Sequence, residues 1–181
     1  MEKNKEMIVE GYALVFNEPT LLWEYEGEKI YEAIDPRALD GCDLSDVCFR
    51  YNHSDQVFNV ARVINGTLKL TVDNIGLKIR ATLANTTVGR DLYEMIRTKL
   101  LNKMSFAFVV GEDSYNRNTK TRTIKKLKKI IEVSAVDFPA YPQTSLYVLD
   151  TEVERLRAEI MEGREALEIE KLRLQIKNKC Y

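Results

Sequence analysis

Three residue types that together make a nucleophilic hydrolase stand at separate points of this chain: Ser105, His53 and Glu132. Ser105 lies near the start of the apolar run Lys103-Met-Ser-Phe-Ala-Phe-Val-Val110, where Met104 and Phe106 give it a low-dielectric setting. A serine hydroxyl is a poor nucleophile until a base removes its proton, so the serine needs an imidazole beside it. His53 is the only histidine, and it sits in Asn52-His-Ser-Asp55, the polar end of a short apolar stretch. A partly solvated strand end suits a general base. Glu132 interrupts Ile130-Ile-Glu-Val-Ser-Ala-Val136, and a carboxylate in such a run is costly to bury unpaired. Beside the histidine it would hold the imidazole tautomer and stabilise the charged form.

Each residue also has a plainer reading. Ser105 would simply fill a strand start, His53 would be an exposed turn residue, and Glu132 would lie on a solvated face. Asp55 is a rival orienting carboxylate, although an acid two residues away commonly caps a turn. Asp137 is a further candidate for the third role. Cys48 paired with His53 would make a cysteine nucleophile, but its apolar run favours an inert buried thiol. Arg62 is a candidate helper, with simple exposure on a hairpin as the alternative. Lys125, Lys126, Lys128 and Lys129 form a basic patch, read as a solvated face or a contact for an acidic substrate or nucleic acid. No Gly-x-Ser-x-Gly elbow is present, which argues against an α/β-hydrolase.

Composition limits what these residues serve. The 181 residues are enough for one domain with a real core and a short appendage. A formal net charge of -1 supplies no global attraction to nucleic acid or anionic membrane. Cys42, Cys48 and Cys180 are odd in number and lack metal-ligand spacing, so neither a disulfide framework nor a zinc site is expected, and no cofactor is implied. The charged N-terminus has no signal-peptide core behind it and no run reaches membrane-spanning length, so a reduced, cytosolic protein without a membrane partner is expected.

The positioning elements should be mainly strands. Met7 to Phe16 reads as a strand stopped by Asn17-Glu-Pro19. Leu21 to Ala33 resists assignment, and Asp35-Pro36 predicts a short helix closing near Gly41. Val57 to Ile64 and Thr67 to Val72, joined by Asn65-Gly66, predict a hairpin; Leu77 to Leu83 continues an antiparallel meander. Thr87 should cap a helix to about Leu101, with Asp91 in its first turn, Leu92, Ile96 and Leu100 on its buried face, and Asn102 as its stop. The Ser105 strand, a polar excursion from Gly111 to Asn118, and two strands over 121–127 and 130–136 follow, ended by Phe138-Pro-Ala-Tyr-Pro142. From Thr151 the chain is dense in Glu, Arg, Lys and Leu, which predicts an amphipathic helix; Gly163 and Glu170 interrupt its heptads. The boundary is placed near residue 150: a domain over 1–149 and a C-terminal helix over 150–181.

Gly11-Tyr-Ala-Leu-Val-Phe-Asn17, Tyr51-Asn-His53, Ile75-Gly-Leu77, Lys103-Met-Ser-Phe-Ala-Phe108 and Glu132-Val-Ser-Ala-Val-Asp-Phe-Pro-Ala-Tyr141 occur in this order. Together they resemble the prohead maturation proteases of tailed phages, relatives of the herpesvirus assemblins, over about residues 7 to 148. The resemblance implies an α+β, mainly β fold: an antiparallel β-barrel with flanking helices. It implies a serine endopeptidase acting inside the procapsid in the host cytoplasm, with Ser105 as nucleophile and His53 as general base. Glu132 stands where assemblins carry a second histidine, and Ala107 where many relatives carry glycine. The implied substrates are the scaffold protein, a scaffolding segment of the major capsid protein, and the protease itself. A homodimer or higher oligomer is expected, with no specific nucleic-acid partner. Backbone N–H groups near Ser105 or after Glu132 are the expected oxyanion donors. The C-terminal helix would tether the protease to scaffold, be removed by self-cleavage, or serve as a packing or dimerisation helix. The competing function is a non-catalytic scaffold-binding module on the same barrel.

Overall fold

The computed structural model describes residues 6–56 and 59–149. The expected C-terminal helix over 150–181 and Cys180 lie outside the described residues.

Strand-forming sequence is organised into two sheets. In the first, β1 (Ile8–Val15) lies between β7 (Gly76–Thr82) and β10 (Ser145–Val148), and β6 (Leu68–Val72) pairs the far edge of β7, all antiparallel. Gly11 is at the centre of β1, where an added Cβ would lie 1.8 Å from the carbonyl oxygen of Ser145. Only glycine permits that approach.

The second sheet is built on β9 (Thr121–Val136), a single 16-residue strand. Antiparallel β8 (Lys103–Asn116) covers one edge of it along its whole length. The other edge is met in succession by β3 (Glu28–Ile34), by the turns that follow it, and by β4 (Cys48–Tyr51). Both β3 and β4 run parallel to β9, and the backbone between them stays attached through Leu127 N–H to Ala38 O and Asp43 N–H to Lys128 O. β2 (Thr20–Tyr25) closes a hairpin on β3, and β5 (Ala61–Arg62) pairs β4. Among the described residues one helix is present, α1 (Thr87–Arg97).

The mainly β, α+β expectation is met, with three changes to the architecture. Among the described residues the sheets remain two ladders and do not close into a barrel. The second sheet is mixed, because alternation along a strand reports its buried face but not the direction of its neighbour. The 121–136 segment is one strand: Lys125, Lys126, Lys128 and Lys129 point outward around buried Leu127 and Ile130, with the register shifts that a bulged long pair absorbs.

Local corrections follow from hydrogen bonding. The helix expected after Asp35 is a series of turns, with i→i+3 bonds such as Ala38 N–H to Asp35 O and a left-handed Gly41. Asn65-Gly66 does turn the chain, Gly66 having φ of +74°, but the strands on either side join different sheets and form no hairpin together. The stretch from Leu21 is the β2–β3 hairpin, turned by Glu26 and Gly27 at positive φ. The polar 111–118 excursion instead carries β8 outward to Asn116. Thr86, not Thr87, caps α1, accepting the Gly89 N–H at 3.1 Å; Asp91 falls past the first turn, and Lys99 at φ 61° ends the helix before Asn102. Leu92 and Ile96 are buried, whereas Leu100, beyond the helix, is 74% exposed.

The inner faces of both sheets meet α1 in one core that includes Val9, Leu14, Ile34, Phe49, Leu77, Ile79, Met104 and Val133. Each such side chain contributes about 1.5–3 kcal/mol by leaving water. On β8, β9 and β4 the residues between these core positions therefore occupy the opposite face.

Candidate active site

That opposite face carries the polar residues. Ser105 on β8 pairs with Ser134 on β9, which pairs with Arg50 on β4; two residues along, Ala107 pairs with Glu132 and Glu132 with Cys48. Paired residues project to the same side of a sheet. Ser105, Glu132, Ser134 and Arg50 thus share a face across three adjacent strands. Three of them are nearly dry, with Ser105 at 7%, Glu132 at 4% and Ser134 at 0% exposure.

The histidine reaches this face because the chain turns sharply after β4. Asn52 and His53 take φ of +49° and +55°, a left-handed pair that reverses direction. Asparagine and histidine visit that region more readily than most side chains. The turn is held by Asn52 N–H to Ala135 O and Ser54 N–H to Tyr51 O, both carrying on from the end of β4. Ser134 Oγ accepts the His53 backbone N–H at 3.3 Å, and His53 Nδ1 bonds Glu132 Oε1 directly. An ionised carboxylate only accepts, so Nδ1 carries a proton, and in the neutral imidazole the lone pair is then on Nε2. That is the tautomer a general base requires.

The rival acids are committed elsewhere. Asp137 accepts from the Tyr51 hydroxyl at 2.9 Å and from Asn52 Nδ2 at 2.5 Å, while its N–H returns to Asn52 Oδ1 at 3.0 Å. The Asp137 bond holds the Tyr51 phenol above its ordinary range. Asp55 accepts from Arg50 Nη1 at 2.7 Å. Cys48 faces Glu132 across the strands but is a half-buried free thiol. Arg62 is clamped in two bonds of 2.6 Å to Asp46. In the lysine patch, Lys129 pairs with Asp43, and Lys125 and Lys126 line a cleft with Asp35, Asp40 and Glu112, so the surface there has mixed sign.

The start of β8 is fixed from the segment after β9. Buried Thr144 accepts the Met104 N–H at 3.1 Å, and its hydroxyl lies 2.8 Å from Met104 O. Lys103 Nζ donates to the carbonyls of Pro142 and Thr144. Tyr141 packs on Phe106 at 5.3 Å and donates to Glu32; burial, with that carboxylate beside it, pushes the phenol far up. These bonds use the N–H groups of Met104 and Asp137, removing both from the expected oxyanion donors.

The sequence profile described as Caudovirus prohead serine protease matches residues 1–159. The chain belongs to that family. This prohead serine protease is therefore a hydrolase of procapsid maturation, acting during assembly inside the host cell, and a capsid or scaffold protein is its substrate context. Among solved structures it is similar to KSHV protease crystallised with a hexapeptide phosphonate inhibitor, at 12% identity and a TM-score of 0.50, covering 88% of this chain and 76% of that one. At that identity the likeness concerns the fold. No curated protein matches the sequence.

Two polar residues of the site escape a reading of residue types alone, Ser134 and Arg50. Ser134 carried a signal, since a position two residues from Glu132 on a strand shares its face. Arg50 carried a weaker one, as the only charge in Val47-Cys-Phe-Arg-Tyr51.

Proposed function

We propose that Ser105, His53 and Glu132 form the catalytic triad of this protease. The observation that carries the reading is the His53–Glu132 bond on the sheet face that also bears Ser105. Glu132 orients the imidazole, Nε2 takes the Ser105 proton as Oγ attacks the scissile carbonyl, and the resulting imidazolium is stabilised by the carboxylate. The same imidazole then gives the proton to the leaving amine. A water activated by Nε2 hydrolyses the acyl-enzyme and restores Ser105.

The substrates in this reading are scaffold protein or the scaffolding segment of the major capsid protein, together with the protease's own chain. Residues 150–181 form a tail outside the 1–149 protease domain, serving as a tether or removed by self-cleavage. The working form is a homodimer or higher oligomer.

Co-expression with the matching scaffold or capsid protein tests this, comparing wild type with Ser105→Ala and His53→Ala. Processing is expected for wild type alone, and intact mass should show any self-truncation disappearing with Ser105. Unchanged cleavage in both variants overturns the triad.

A further inference from the structure

Glu132 is almost dry, yet it faces a cation as well as the histidine. Arg50 Nε lies 3.5 Å from Glu132 Oε2, donates to Asn59 Oδ1 at 2.9 Å, and Nη1 donates to Asp55 Oδ1 at 2.7 Å. One guanidinium therefore touches the triad carboxylate and two residues of the chain that follows His53. Its pair with Asp55 alone has little value, since the Asp55 side chain is 92% exposed and screened by water. Glu132 differs, with a side chain only 6% exposed, and a charge held there interacts strongly with its neighbours.

Among the described residues, the groups around Glu132 leave this role to Arg50. From β8, Ser105 and Ala107 face Glu132 and are neutral. From β9, Ser134 contributes a hydroxyl to Oε2 at 3.4 Å. From β4, Cys48 contributes a thiol. Asp55 is held by Arg50 itself, and Asp137 by Tyr51 and Asn52. Lys103 is turned toward the Pro142 and Thr144 carbonyls, and Arg62 toward Asp46.

Building on the triad reading, we propose that Arg50 is a positioning residue of the protease that tunes its acid–base pair. Its fork fixes the His53-bearing turn to β4, and its charge offsets that of Glu132. Removing that offset would tilt the pair toward the protonated imidazole, the form that cannot accept the Ser105 proton. The cation thus favours the base-competent form while the carboxylate still orients the ring. Lysine would supply the charge without the fork; glutamine supplies neither the charge nor the full fork.

The test is the rate at which a fluorophosphonate probe labels the full-length protein across pH, with thermal melts of each variant. For Arg50→Gln we expect plateau labelling to fall about tenfold and the acid limb to move up by about half to one pH unit, because removing a cation favours the protonated pair. For Arg50→Lys we expect the limb near that of wild type with part of the plateau lost. A plateau loss in Arg50→Gln without any movement of the limb overturns the charge role, leaving Arg50 purely structural. Should Arg50→Gln not fold, Arg50→Lys decides: a fully wild-type profile overturns the fork. Ser105→Ala is run alongside. If it abolishes labelling while the Arg50 variants behave as wild type, the Arg50 role alone fails. Labelling that survives Ser105→Ala overturns the triad beneath it.

Discussion

Glu132→Gln separates what the carboxylate does by charge from what it does by orientation. The charge part follows from Coulomb's law. At about 4 Å, opposite charges interact by about 4 kcal/mol at an effective dielectric of 20 and about 1 kcal/mol in water. The His53 side chain is 40% exposed and Glu132 6%, an intermediate setting that gives about 2–3 kcal/mol, or roughly 30- to 150-fold in rate. The orientation part is larger. Oε2 faces Arg50, a pure donor, so the glutamine will turn its oxygen to Arg50 and its NH2 to His53. That amide donates to Nδ1, moves the imidazole proton to Nε2, and abolishes the base. The combined loss should approach ~10^3 to 10^4 in fluorophosphonate labelling. The amide keeps the volume and removes a nearly dry charge, so Tm should stay within a few degrees. Labelling within about threefold of wild type, with Ser105→Ala inactive, would refute the assignment of Glu132.

Two further outcomes test the scaffold. Gly11→Ala places a methyl 1.8 Å from Ser145 O, forcing β1 and β10 apart; a loss of about 2–4 kcal/mol, on the order of 10 °C in Tm, is expected by calorimetry. Glu10 is subject to opposing influences: burial raises its carboxyl, but bonds of 2.9 Å from both Lys78 and Arg80 win and hold it below the ordinary 4.5. A depressed carboxylate contributes stability that is present above its unfolded value and lost as pH falls through the folded one. The Tm advantage of wild type over Glu10→Gln should therefore hold from neutrality to about pH 5 and shrink on further acidification; a gap that widens in acid would contradict the pairing.

Ser105, His53 and Glu132 stood out in the sequence because each broke a pattern. Ser105 and Glu132 are polar positions in β-forming runs, and His53 stands alone in a polar turn. The shared face of Ser105 and Glu132 and the bond from His53 to Glu132 were not legible, since they depend on β4 and β8 flanking the same few residues of β9, a pairing no local pattern encodes. That Glu132 rather than Asp137 bonds His53 was hidden for the same reason: Tyr51 and Asn52, 86 and 85 residues away in the chain, hold Asp137. The lysines of β9 suggested two strands because charge density masked the alternation around Leu127. Helix existence was clear from Leu92 and Ile96, while its ends moved by a few residues, as caps decided by a single hydroxyl do.

The site's precision is a consequence of register. Ser105, Ser134 and Arg50 form one row across three strands, and Ala107, Glu132 and Cys48 form the next. A one-residue slip of β8 or β4 on β9 would send Ser105 or Arg50 to the core face and bring Met104 or Phe49 out. The buried neighbours oppose such a slip, because Met104 or Phe49 would leave the core and Val133 would lose an apolar partner there. The same alternation that builds the hydrophobic interior therefore aligns the chemistry on the other side. Only the histidine is free of that constraint, and it is the one member carried on a turn. Its tether to the sheet is correspondingly polar: Ser134 on its backbone, Glu132 on its ring and Arg50 on the residues beyond. Substitutions in the core should alter stability before activity, whereas loss of these three tethers should alter activity while the fold persists.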